Sequence, residues 1–202
     1  AISSKHLVIE SRASLISVGT EKMLIDFGKA NFLKKAKQQP DKVEQVLEKI
    51  KTDGLITTYE AVWSKLNDPI PLGYSNVGII KEIGKDITHF KPGERVVSNG
   101  HHAEYVKVPW TLACNVPEKV TDEDAAFTVP GAISLEGIRL FNPTIGETVV
   151  VIGLGLLGQL TCALLAANGC KVIGLDLDPK KVALAQSQGI DAVLSRSREE
   201  NI

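Results

Sequence analysis

The 202 residues are 44% hydrophobic and 23% charged, with a formal net charge of −1, enough to bury a core without metals or disulfides. That balance excludes disordered and collagen-like chains and offers no basic face for nucleic acid. No apolar run approaches the ~20 residues of a membrane helix, and AISSKHLVIE is not a signal peptide, so a cytoplasmic protein with no membrane partner is expected.

In chain order, His6 to Ser17 (HLVIESRASLIS) nearly alternates apolar and polar residues and predicts a strand. A domain opening in mid-strand looks trimmed. Lys22 to Gly28 and Asn31 to Gln39 have helical composition, and Pro40 with Asp41 starts a further helix in which Val43, Val46, Leu47 and Ile50 form one apolar stripe, stopped by Gly54. With a helix at YEAVWSKLND, residues 22 to 68 read as a helical block. Short strands follow at NVGIIKEIG, ERVVSNG and AEYVKVPW, and turns at that spacing suggest a compact barrel or sandwich. Thr121 and Asp124 form a capping-box variant, and a helix is expected from about Ala132 to Phe141.

From Gly146 the pattern becomes strand, glycine turn, helix, strand, helix, strand. ETVVVI, residues 147 to 152, is apolar enough to predict a strand covered by helices on both faces. GLGLLGQLTCALLAANG, KVIGLDLD, PKKVALAQSQG and DAVL complete a β-α-β-α-β half of a doubly wound sheet. Gly153, Gly155 and Gly158 fit G-x-G-x-x-G: the first allows the tight turn, the second lets a pyrophosphate approach, and the third lets helix and strand pack closely. Leu156 and Leu157 lie between the second and third of these glycines, where the helix N-terminal amides face the phosphates. Asp176 ends the second strand, where its carboxylate would accept the ribose hydroxyls and repel a 2′-phosphate, favouring NAD over NADP. Asp178 competes for the ribose but reads better as an N-cap before Pro179, and Lys181 is a cofactor candidate whose bland alternative is a solvated first-turn lysine.

Cys114, Cys162 and Cys170 show no metal or disulfide spacing and read as three small core residues. His101 and His102 sit in a turn before a strand, where adjacent residues point to opposite faces, so they do not share a metal.

The order SVGTE, LGYSNVGIIKEIG, FKPGERVVSNG, HAEYVKVP, GETVVVIGLGLLG and VIGLDLDPKK resembles the medium-chain dehydrogenase/reductase (alcohol dehydrogenase-like) superfamily over nearly the whole chain. The resemblance implies a β-rich GroES-like barrel with a helical insertion at about 22–68, making a catalytic domain of residues 1–140. It is followed by a partial α/β doubly wound (Rossmann) dinucleotide-binding domain over 141–202.

The departures from that family concern zinc. Its zinc-dependent members carry Cys-Gly-Thr-Asp where this chain has Val18-Gly19-Thr20-Glu21, and Gly-His-Glu where it has Gly73-Tyr74-Ser75. The third ligand position falls near Pro130 and Gly131, so no zinc is expected. Hydrogen-bonding side chains must then polarise the substrate, and Tyr74 and Thr20 are the catalytic candidates, with Glu21 orienting neighbours. Tyr74 as an amphipathic wall residue and Thr20 as a local turn residue are the structural alternatives.

The helical insertion resembles that of bi-domain oxidoreductases of polysaccharide biosynthesis, which implies a small-molecule substrate of the nucleotide-sugar kind and a fused second oxidoreductase domain, with a homo-oligomer as the other expected partner. Packing an oligomer face is the structural alternative for the insertion. The expected activity is zinc-independent, NAD(H)-dependent hydride transfer on a carbonyl or alcohol; a quinone or enoyl reductase and a non-catalytic nucleotide-sensing scaffold are the alternatives. Only one β-α-β-α-β half is present, so the chain is expected to be part of a longer protein and not to turn over alone.

Overall fold

In the computed structural model, residues 2–29 and 71–195 are described. Strand β1 (His6–Ser14) buries Leu7 and Ile9 completely and turns the intervening residues outward, the period-2 signature that its sequence carries. It pairs antiparallel with β2 (Asn76–Ile83) on one side and β4 (Tyr105–Pro109) on the other. Strand β3 (Arg95–Ser98) joins β2, and β5 (Ala113–Asn115) joins β3, giving the order β4-β1-β2-β3-β5. This is the GroES-like class, built as an open five-stranded sheet rather than a closed barrel.

One core gathers Leu7, Ile9, Ile80, Ile87, Phe90 and Val96, and a second joins Val77 and Val97 to Ala125 and Ala126. The second is closed by the short helix α2 (Asp122–Ala125), whose N-cap Thr121 accepts the Asp124 amide at 3.1 Å. Arg95 fixes this corner to the sheet. It donates to Asp122 at 2.9 Å and to the carbonyls of Pro117 and Val120 at 2.7 Å each, while Arg12 adds an ion pair to the same carboxylate at 3.0 Å.

Helix α3 (Thr128–Phe141) begins about four residues before the expected Ala132. Pro130 sits in its first turn, where the missing N–H has no intrahelical partner to lose. The helix packs on α4 (Leu156–Ala167), and Ser134 donates to the Leu157 carbonyl at 3.2 Å.

The expected β-α-β-α-β unit is present as a parallel sheet β6-β7-β8, from β6 (Thr148–Ile152), β7 (Lys171–Asp176) and β8 (Asp191–Leu194), with α5 (Pro179–Ser187) as the second helix. Val149, Val172 and Ala192 share a buried cluster with Cys162, Leu165, Val182 and Ala185 of α4 and α5. The expectation that both faces of residues 147 to 152 are covered fails. Val150 is 51% and Ile152 84% exposed, because the helices that the described residues supply pack on one face only.

Three further expectations change. The strand predicted to Ser17 stops at Ser14, and helix α1 (Val18–Lys29) starts four residues before Lys22, with Glu21 in its first turn and Lys29 in its last, both complementing the helix dipole. Cys162 and Cys170 are buried as expected, but Cys114 is exposed, since β5 lies at the sheet edge. The remainder of the helical block, including the stripe Val43, Val46, Leu47 and Ile50, lies outside the described residues. Residues 18–72 form a compact unit distinct from residues 1–17 and 73–202.

Candidate functional site

The glycine turn links β6 to α4. Gly153 has φ +94°, a left-handed conformation open to glycine, and its amide donates to the Leu175 carbonyl of β7 at 2.7 Å. Gly155 is the N-cap of α4 at φ −70°, and a side chain there would meet no heavy atom within 4 Å. The concave side of the turn is therefore open. At Gly158 a Cβ would overlap the Gly153 carbonyl oxygen, so this glycine lets the helix close onto the turn. Leu156 is half-buried and Leu157 is exposed, and their amides lie in the first turn of α4, where N–H groups have no intrahelical partner.

Asp176 ends β7 directly behind this turn. Its Oδ2 accepts the Leu154 amide at 2.7 Å and its Oδ1 the Asp178 amide at 2.8 Å. Lys181 Nζ stands 3.7 Å from the same Oδ2, and the Asp176 side chain is 10% exposed. The amides of Asp178 and then Leu154 hold its carboxyl below the usual aspartate range, against the opposing effect of desolvation. The carboxylate is thus fixed and ionised. Asp178 caps α5 by accepting the Lys180 amide at 2.9 Å, with Pro179 next in sequence.

Two residues of this corner escaped sequence reasoning. Leu154, between the first two glycines, is 1% exposed, and a Cβ on Gly174 would come within 2.9 Å of it. Gln159 follows the third glycine. Its Nε2 donates to the Leu154 carbonyl at 3.1 Å and to the Lys181 carbonyl at 3.0 Å. The signal available was a long amide directly after the motif, but spacing alone does not say which carbonyls it reaches.

Gly153, Gly155, Leu156, Leu157, Gly158, Asp176 and Lys181 are thus brought together around one corner. Tyr74 and Thr20 each have a separate local setting. Tyr74 is half-buried and held by its neighbours: the His102 ring lies 2.8 Å from where a side chain on Gly73 would begin, and Ser75 Oγ donates to the Ala126 carbonyl at 2.6 Å. His102 Nδ1 is 2.9 Å from Ser14 Oγ. Thr20 is half-buried in the first turn of α1, in the unit of residues 18–72.

The positions that the resemblance assigns to zinc ligands hold Val18 and Tyr74, with the third near Pro130 and Gly131. A valine, a phenol and an imino acid do not make a zinc donor set. Among the described residues no three His, Cys, Asp or Glu side chains converge, and no helix is long and apolar enough to cross a membrane.

Comparison with known proteins agrees with this architecture. Residues 46–118 match the alcohol dehydrogenase GroES-like domain, and residues 147–195 match the NAD binding domain of the UDP-glucose/GDP-mannose dehydrogenase family. Among curated relatives, an L-threonine 3-dehydrogenase of Rhizobium rhizogenes is 28% identical over 170 residues, 68% of this chain and 49% of the relative. An alcohol dehydrogenase of Geobacillus stearothermophilus is 24% identical over 164 residues, 65% of this chain and 49% of the relative. The solved galactitol-1-phosphate dehydrogenase from Escherichia coli has the same fold at TM-score 0.71 and 19% identity, covering 98% of this chain and 56% of that one. The chain therefore spans about half the length of the curated relatives it matches. The two matches together describe a GroES-like sheet followed by a dinucleotide-binding unit of the NAD(P) type. In these matches the chain is similar to medium-chain dehydrogenases/reductases in both its parts.

Proposed function

We propose that the chain is the GroES-like module and the adenosine-side half of the cofactor domain, divided near residue 140, of a zinc-independent, NAD(H)-dependent oxidoreductase. The single observation that carries this reading is Asp176, an ionised carboxylate anchored by two backbone amides at 2.7 and 2.8 Å beside an open glycine turn. Its carboxylate oxygens suit two vicinal ribose hydroxyls, and its fixed charge opposes a 2′-phosphate. The glycine-turn amides and the first turn of α4 would hold the pyrophosphate, with Lys181 at the ribose edge. Bound NAD supplies the hydride chemistry.

The chain's own part is placement and proton handling. With Val18 at one of the positions that the resemblance assigns to zinc ligands and Pro130 near another, Tyr74 and Thr20 supply the hydroxyl groups that would donate to a carbonyl oxygen or accept a proton from an alcohol. The substrate proposed is a small carbonyl or alcohol, with nucleotide sugars first to be tried. That choice rests on the inserted segment and on the name of the family matched by residues 147–195.

Titrating NADH against NADPH on the intact protein tests the cofactor. NADH is expected to bind at least about tenfold more tightly, and Asp176→Ser should erase the difference. Equal affinities in the unsubstituted protein would overturn the assignment. A nucleotide-sugar and carbonyl panel then tests turnover, and Tyr74→Phe should lower kcat. Binding without turnover across the panel would favour a nucleotide-sensing module, and unchanged kcat would remove Tyr74 from the mechanism.

A further inference from the structure

The corner around Asp176 closes on itself. Asp176 Oδ2 accepts the Leu154 amide at 2.7 Å, the Leu154 carbonyl accepts Gln159 Nε2 at 3.1 Å, the same Nε2 donates to the Lys181 carbonyl at 3.0 Å, and Lys181 Nζ returns to Asp176 Oδ2 at 3.7 Å. Leu154 is therefore gripped at its amide, its carbonyl and its buried side chain. One carboxamide connects the glycine turn to the first turn of α5.

The other end of that carboxamide is informative. Gln159 Oε1 is buried and has no hydrogen-bond partner, while the two facing carbonyls require that the nitrogen point toward them. A buried acceptor left unpaired carries a desolvation cost that an apolar side chain of the same size would avoid. Gln159 is thus poorly explained as a stabilising residue and well explained as a tie between two parts of one site.

We propose that Gln159 is a positioning residue for nucleotide choice: it fixes Leu154 and Lys181, and through Leu154 the Asp176 carboxylate, so that NADH is favoured over NADPH. This rests on the cofactor assignment given above. Without the tie, the glycine turn loosens for both nucleotides alike. The Asp176 carboxylate loses its fixed position, which matters to a ribose 2′-hydroxyl and to a 2′-phosphate in opposite directions.

Gln159→Met keeps the volume and removes both donors. Hydrogen exchange at the Leu154 amide of the intact, nucleotide-free protein reads the tie without any cofactor. It should accelerate about tenfold, the order expected for one or two lost hydrogen bonds. NADH and NADPH titrations read the consequence: the preference for NADH should fall about five- to tenfold. A general weakening of the fold would lower both affinities and leave their ratio unchanged, and that result overturns the proposal. Gln159→Glu, of equal length but placing a carboxylate against two carbonyls, should reproduce the lost preference and covers the case in which the methionine variant folds poorly. A wild-type protein that binds neither nucleotide overturns the cofactor assignment itself. Wild-type discrimination retained in both variants overturns only the role of Gln159.

Discussion

Replacing Gly158 with alanine sets two opposed effects against each other. Alanine is about 1 kcal/mol better than glycine inside a helix, and Gly158 is the third residue of α4. Against that, the new Cβ would overlap the Gly153 carbonyl oxygen and lie 2.9 Å from its carbon, where real Cβ contacts do not come under 3.0 Å. Either the helix or the turn must move by more than an ångström. The turn is held by the Gly153 amide on the Leu175 carbonyl and by the Leu154 amide on Asp176, both at 2.7 Å.

Overpacking costs about 1–3 kcal/mol, and losing an amide–carboxylate hydrogen bond about 1.5–3 kcal/mol. Less the helix gain, the net loss is about 1.5–5 kcal/mol, or about 3–20 °C in Tm for a chain of this length. Thermal melts followed by circular dichroism measure it. Gly155→Ala is the control: nothing lies within 4 Å of the added carbon and φ is −70°, so only the N-cap preference for glycine is lost, about 1 kcal/mol or less, while nucleotide affinity falls. A Gly158→Ala protein melting with the wild type would refute the close-approach account.

Three other outcomes are expected. Arg95→Lys should destabilise the chain by about 2–3 kcal/mol in urea titrations, because a lysine cannot serve Asp122 and two carbonyls together; full stability would show that the α2 corner does not depend on the guanidinium. Asp176 has its folded pKa depressed, so its contribution is complete above the unfolded value of about 3.9 and is lost as pH falls through the folded value. The stability gap between wild type and Asp176→Asn should thus be widest at neutral pH and shrink below about pH 4; a gap independent of pH would contradict the anchored carboxylate. Among the cysteines, a thiol reagent should label Cys114 quickly in the native protein and Cys162 and Cys170 only on unfolding, burial also pushing the Cys162 thiol pKa up; native labelling of Cys162 would refute the packing of α4.

What could be read in advance followed from local rules. The alternation of β1, the Thr121 and Asp178 caps and the glycine turn before Asp176 each depend on residues close in sequence, and each is found where expected. What could not be read depends on contacts between distant segments. Cys114 and Ile152 have apolar neighbours in sequence but stand at a sheet edge and on an uncovered sheet face. Helix α3 begins before its apolar run because Pro130 tolerates a first turn. The role of Gln159 depends on the carbonyls of Leu154 and Lys181, which its nitrogen reaches across the corner.

The uncovered side of the three-stranded sheet also governs how this chain behaves in a tube. Val150 and Ile152 of β6 and Val193 of β8, all at least half exposed, lie on the same side of the sheet, on the two strands that flank β7, and branched side chains in such a row bind hydrophobic dyes and one another. Sulfate and phosphate strengthen that attraction by being excluded from protein surfaces. Light scattering of the isolated chain should therefore rise with ammonium sulfate well before it does so with sodium chloride of equal ionic strength.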